Sequence, residues 1–168
     1  MSCGSTQPRL ENWTDASAPA AQHSRQRLKR VAFQSKLVTT AGLWVKFFSF
    51  TCIATIASLS RSRAGAIASS GAGASFVSAV IEECTRAVTA EGYPPPPDTA
   101  ATIQGIFSQP NSTYGPSMLV DIEEGRPTEG EHTIGDLVDR VTRRGVSVPI
   151  LNAARCNLQA YEINRNRR

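Results

Sequence analysis

From Val38 to Leu59 the chain is apolar in almost every turn, and the run predicts one long helix without a clearly wet face. It is long enough to cross a bilayer, and basic residues flank it at Lys36, Arg61 and Arg63. Lys46 near its middle argues against that, because an ammonium there costs about 2.5 to 3.5 kcal/mol on insertion scales. Thr39, Thr40, Ser49, Thr51, Thr55 and Ser58 dilute the signal further. The expectation is a buried core helix, with no membrane partner.

Further on, the period becomes helical and one-sided. Val77, Val80, Ile81, Cys84, Ala87 and Val88 recur at helical spacing, with Glu82, Glu83, Arg86 and Glu91 on the wet side. Gly92 reads as a left-handed C-cap, and Pro94 to Pro97 forbid continuation. Asp98 is expected to cap the next helix, which carries Ile103, Ile106 and Phe107 inward. Ile134, Leu137, Val138 and Val141 make another stripe that ends at Gly145. Pro149 opens the last helix, with Leu151, Ala154, Leu158 and Tyr161 facing in. No alternating stretch of useful length suggests a strand. The pattern predicts an all-α bundle of about six helices.

Composition places this bundle within the chain. With 168 residues there is room for one domain with a proper core. Residues 1–36 mix Gly, Pro, Ser, Thr and charges without a period, and read as a disordered leader. A secretory signal is not expected, since no apolar run of the needed length precedes Arg25. The ordered domain is expected over 37–164, followed by a basic tail at 165–168. The net charge of +4 sits largely in Arg25, Arg27, Lys29 and Arg30 and in Arg165, Arg167 and Arg168. Without interleaved aromatics or a recognition motif, these clusters read as solvated ends, so no nucleic-acid partner is expected. Cys3, Cys52, Cys84 and Cys156 are far apart, and only His23 and His132 could join them, so no metal site is expected. Cys52, Cys84 and Cys156 fall among apolar neighbours and read as reduced, buried thiols of a cytoplasmic protein.

The chemistry concentrates late in the chain. Ser117-Met118-Leu119-Val120-Asp121 reads as a short helix stopped at Gly125, and Arg126-Pro127-Thr128-Glu129 brings a second carboxylate to the start of the next. A hydroxyl and two carboxylates so placed suit the wall of a pocket for a small polar acid. Ser117, Asp121 and His132 have the residue types of a hydrolytic triad but no nucleophile elbow. Glu82-Glu83 and Glu123-Glu124 point to different sides of their helices and read as solvated. Gly71-Ala72-Gly73-Ala74-Ser75-Phe76 begins like a dinucleotide fingerprint, yet Phe76 replaces the third glycine and no strand precedes it. It reads as a loop entering a helix, leaving no visible nicotinamide-binding motif.

Four segments in order resemble the C-terminal helical domain of the ketopantoate reductases (2-dehydropantoate 2-reductases). They are Trp44-Val45-Lys46-Phe47, similar to W-x-K-F; Leu59-Ser60-Arg61 through Gly65, similar to L-T-R-x-x-x-G; the S-M-x-x-D and G-R-x-T-E pair from Ser117 to Glu129; and Gly145-Val146 to Pro149. The resemblance implies reduction of 2-dehydropantoate or a related 2-oxo acid by NADPH, as in the pantothenate pathway. In it Lys46 is the catalytic acid, Glu129 positions that lysine and the substrate, and Ser117 binds the substrate carboxylate. Lys46 would be partly desolvated among Trp44, Phe47 and Phe50, which favours release of its proton. Each role has a plainer counterpart: Lys46 as a lysine snorkelling from a core helix, Ser117 and Glu129 as helix caps.

The implied partners are the small oxo acid, a Rossmann-domain chain that supplies the nucleotide missing from this one, and a second copy in a homodimer. The other reading is a non-catalytic helical dimerisation or interaction module of the same descent. Departures from the family pattern concern the substrate. Phe50, Ala64 and Tyr114 stand where amides are expected, and Gly130-Glu131 replaces Ile-Asp. Losing three amides points to a different, less polar oxo acid, or to none.

Overall fold

The long apolar run forms helix α1, Thr40–Ser60, in the computed structural model, which describes residues 39–167. Thr39 starts it: its Oγ1 accepts from the Gly42 N–H at 3.1 Å. Arg61 ends it in the left-handed region at φ 49°, its N–H donating to the Ala57 carbonyl at 2.9 Å. From Phe48 to Ser58 nearly every turn is buried. The reason is that α1 is enclosed by α3 (Gly73–Ala90), α4 (Pro97–Ile106), α5 (Ser117–Glu123) and α7 (Pro149–Arg165). Among the described residues α1 is the one helix with the length and apolarity of a membrane span, and its second half is spent on this core.

The remaining elements are α2 (Ala64–Ser69), a π-helical turn (Glu131–Gly135) and α6 (Asp136–Thr142), which continues that turn. No strand occurs among the described residues, and the α-helices number seven rather than about six because short α2 was not legible as a period. Three helices end alike. Gly92, Gly125 and Gly145 take φ of 89°, 72° and 77°, and the residue after each donates back to a carbonyl of the last turn: Tyr93 to Val88, Arg126 to Asp121, Val146 to Val141. This paired closure satisfies carbonyls that the helix leaves open, and only glycine adopts the required φ without strain.

The core contains the expected stripes: Val77, Val80, Cys84 and Val88 from α3, Ile134, Leu137, Val138 and Val141 from the π-turn and α6, and Leu151, Ala154 and Leu158 from α7. Gly71 and Ala72 do form a turn into α3, as expected, and a Cβ on Gly73 would lie 1.8 Å from the Ile67 carbonyl oxygen, so that glycine serves a close approach of backbones.

Three expectations are corrected. Glu83 is not on the wet side but 2% exposed, and its Oε1 accepts the Leu151 N–H at 2.7 Å, filling an orphan donor in the first turn of α7. Asp98 does not cap α4, which begins one residue earlier at Pro97 because a proline needs no N–H partner in the first turn. Cys156 is exposed, since it lies on the outer face of α7, whereas Cys52 and Cys84 are buried. The leader assigned to 1–36 lies outside the described residues, as does Arg168; the rest of the basic tail continues from the end of α7.

Candidate functional site

Lys46 is exposed in the second turn of α1, on the side facing away from Phe48, Cys52 and Thr55, while Trp44 and Phe47 pack against the core. One turn to either side on the same face lie Leu43 and Phe50. The expected desolvation of Lys46 by neighbouring rings is not found within this domain. The rings turn inward instead: Trp44 stacks on Tyr93 with centroids 4.8 Å apart and planes 11° from parallel, and Phe47 meets Trp44 edge-on at 5.5 Å. Leu43, Trp44 and Phe47 with Asp136 and Arg140 of α6 wall a groove of about 200 Å³ beside this face.

The second part of the site is set by the loop before α5. The backbone of α2 lies against it, with Ala64 N–H donating to the Tyr114 carbonyl and Gly65 N–H to that of Ser112, both at 3.0 Å. A Cβ on Gly65 would sit 2.5 Å from the Ser112 oxygen and 2.6 Å from that of Pro110, which explains the glycine that follows Leu59-Ser60-Arg61. Arg63 holds the same loop through a hydrogen bond to the Thr113 carbonyl and the end of α5 through an ion pair to Glu123 at 2.9 Å. Met118, Leu119 and Ile122 bury α5 on the core, so Ser117 opens that helix with an exposed side chain.

Almost every other residue of the Ser117–Glu129 motif has a structural partner. Asp121 pairs with Arg126 across the turn at Gly125, at 2.8 Å. The Tyr161 hydroxyl, 2.6 Å from the Arg126 carbonyl and 3.2 Å from that of Asp121, ties the turn to α7. Thr128 gives both its N–H and its hydroxyl to Glu162, at 2.7 and 2.9 Å. Burial pushes the Glu162 carboxyl up, but those two bonds and the Arg165 guanidinium outweigh it and hold the group below the usual range. Glu129 follows, exposed, with only its carbonyl engaged, by Thr133.

Among the described residues no hydrogen bond or ion pair joins Lys46, Ser117 and Glu129. The elements that carry or adjoin Ser117 and Glu129, α5 and the π-turn, both pack against α1, the helix that carries Lys46. All three side chains are exposed, and none has a partner among the described residues. The fold uses the motif's methionine, aspartate, glycine, arginine and threonine, and among the described residues gives its serine and glutamate side chains no partner. Tyr161 and Glu162, which hold the segment carrying Glu129, were not legible as site residues, because their partners lie some 35 residues away (35 and 34 for two of the bonds).

The departures from the family pattern also find places. Phe50 is half-buried on α1, Ala64 is fully buried, and the Tyr114 ring packs edge-on against Phe107 at 6.4 Å. Gly130 brings the backbone against Leu158, where an added Cβ would meet Cδ1 at 2.5 Å. Glu131 is gripped by Arg155, which also binds Asp139, and by Gln159. The Arg155 hydrogen bonds hold both carboxyls below their ordinary range and push the guanidinium further up. No cluster able to hold a metal occurs among the described residues, and Asp121, committed to Arg126, forms no triad with Ser117 and His132.

Comparison with known proteins bears on the fold and the family. Residues 39–162 match the family model for the ketopantoate reductase PanE/ApbA C-terminal domain. The oxidoreductase YkpB of Bacillus subtilis (strain 168) is 30% identical over 122 residues, covering 71% of this chain and 40% of that protein. A dimeric ketopantoate reductase from Staphylococcus aureus superposes with a TM-score of 0.68 at 23% identity, over 84% of this chain and 52% of that one. D-mandelate dehydrogenase, in a ternary complex with NADH and anilino(oxo)acetate, superposes at 0.67 with 14% identity, over 88% and 50%. The chain thus spans about half the length of these solved relatives, or less in the case of YkpB. Since the match runs from the start of α1 into the last turns of α7, the chain belongs to the ketopantoate reductase PanE/ApbA C-terminal family, a helical domain of oxidoreductases.

Proposed function

We propose that this domain is the substrate half of a nicotinamide-dependent 2-oxo acid reductase, with Lys46 as its proton donor. The observation that carries the reading is the sorting of the motif residues: those with structural work are paired, and Lys46, Ser117 and Glu129 stand exposed and unpaired among the described residues. NADPH, held by a nucleotide-binding domain from another stretch of polypeptide, supplies the hydride. Lys46 gives a proton to the ketone oxygen as the carbonyl electrons move onto it, leaving a neutral amine that takes a proton back from solvent. Ser117 donates its hydroxyl hydrogen to the substrate carboxylate, and Glu129 accepts from the lysine and orients it. Family membership, the reductase from Staphylococcus aureus and the NADH-bound D-mandelate dehydrogenase support the nicotinamide assignment. A covering domain also supplies what α1 lacks alone, the exclusion of water from Lys46.

The test is NADPH absorbance in a mixture of this chain, ketopantoate and the nucleotide-binding domain of the Staphylococcus aureus enzyme. Lys46→Ala is expected to lower turnover about 10²- to 10⁴-fold, the usual contribution of a positioned acid. Ser117→Ala is expected mainly to raise KM. Turnover that survives Lys46→Ala removes the assigned acid. No turnover with any oxo acid favours the second reading, a non-catalytic helical interaction module, which the solvent-exposed Lys46 and the absent amides support.

A further inference from the structure

We infer that the cavity where the C-terminal ends of α1, α5 and α7 meet binds a phosphate group, with Arg61 as its principal contact. About 330 Å³ lie between Arg61, which closes α1, Glu123 and Gly125 at the end of α5, and Tyr161, Asn164 and Arg165 in the last turns of α7. Lys46, Ser117 and Glu129 do not line it, so it is separate from the proposed reaction. The backbone at Arg61 is the first sign of work for its side chain. Three other helices are closed at positive φ by glycine, whereas α1 is closed by an arginine at φ 49°, a conformation that is costly for a residue with a Cβ. Among the described residues it is the one non-glycine residue so placed, and strain held by a long charged side chain points to a function of that side chain.

Charge leads to the same residue. The Arg61 guanidinium donates to Asn157 Oδ1 at 2.9 Å and lies 5.6 Å from the centroid of the Tyr161 ring, so both partners are neutral. The carboxylate on the cavity wall, Glu123, is bound to Arg63 at 2.9 Å, and Glu162 is shared by Arg165 at 2.9 Å and Thr128. Helix C-termini carry partial negative charge, but N–H groups of Arg61, Arg126 and Asn166 already occupy carbonyls in the last turns of the three helices. The wall therefore offers one guanidinium with no carboxylate partner among the described residues, a second that is half of an ion pair, and the Asn164 amide. A guanidinium fork takes two oxygens of an anion side by side, and Arg165 and Asn164 provide donors for others. Phosphate has the charge and the number of oxygens to use all three groups; a carboxylate, with two oxygens, leaves donors unused.

The test is an NMR titration of the purified full chain at constant ionic strength with inorganic phosphate, glycerol 3-phosphate and acetate, following backbone amides and arginine Nε–H signals. Phosphate is expected to shift Arg61, Gly125, Asn164 and Arg165 with a dissociation constant on the order of 1 mM, in keeping with a ligand of so few atoms. Tighter binding of glycerol 3-phosphate identifies a phosphomonoester as the source of the group, and tighter binding of inorganic phosphate identifies the free ion; either order supports the site. Arg61→Gly removes the guanidinium and relieves the backbone, so it is expected to stay folded and to bind phosphate about 10-fold more weakly or worse. Arg61→Lys keeps the charge without the fork and is expected to fall between the two. Acetate binding as tightly as phosphate, shifts remote from this cavity, no saturable shift in the wild type, or unchanged affinity in a folded Arg61→Gly each overturn the inference. Circular dichroism establishes that each variant is folded, and the wild-type shift map decides the matter where one is not.

Discussion

Single residues of this domain divide by what their removal disturbs. Gly65 is wedged against the carbonyls of Ser112 and Pro110, backbone atoms that cannot swing aside. Gly65→Ala is expected to cost about 1 to 3 kcal/mol through overpacking, read as a lower urea midpoint. Gly130→Ala presses mainly on the Leu158 side chain, which has rotamers to move into, and should cost less. The cysteines separate just as cleanly. Burial, together with the neighbouring Cys84, pushes the Cys52 thiol far up, and both thiols are inaccessible, while Cys156 faces water. In the native protein a maleimide is expected to label Cys156 and to reach Cys52 and Cys84 only on unfolding; rapid native labelling of Cys84 would contradict the packing of α1 on α3.

At the scale of elements, polar side chains decide how the helices meet. Glu83 of α3 reaches the first turn of α7, so Glu83→Ala leaves a buried N–H without an acceptor at the seam of two core helices. The expected loss is about 1 to 3 kcal/mol, measurable by chemical denaturation. The Arg155 cluster binds the π-turn and α6 to α7, and Glu162 binds the Thr128 segment to α7. Glu131, Asp139 and Glu162 all have folded-state carboxyls below their ordinary values, 4.5 for the two glutamates. The unfolded chain therefore takes up protons first as the solution is acidified. The stability these contacts provide is complete above about pH 4.5 and drains away as pH falls through the lower folded values. A thermal unfolding series from pH 7 downward should show this decline, and Arg155→Gln should flatten it; an unchanged slope in that variant would show that the cluster does not control the acid limb.

For the whole molecule, the central fact is that α1 is buried nearly all round over its second half and exposes one face over its first. The same element thus anchors the bundle and presents Lys46, so the lysine inherits the rigidity of the core without its low dielectric. Catalysis of the proposed kind then requires a second surface to close over that face. Turnover is expected only when the nucleotide-binding domain is added, with an apparent rate that saturates in its concentration. Activity of the chain by itself at the same level would contradict that requirement.

Much of this was legible along the chain. A continuous apolar run, three one-sided stripes and the glycines at 92, 125 and 145 carry their meaning locally, because helix periodicity and left-handed closures depend on residues within a few positions. The four motif segments, too, are contiguous, and so the family was readable from them. What the tertiary structure decided is which polar residues are spent on folding. Glu83 looks wet until Leu151, 68 positions away, is packed against it, and the Asp121 carboxylate reads as part of a pocket wall until Arg126 is seen to hold it. Exposure, likewise, is a property of neighbours distant in sequence: the rings near Lys46 found one another and Tyr93, and the lysine was left to the solvent.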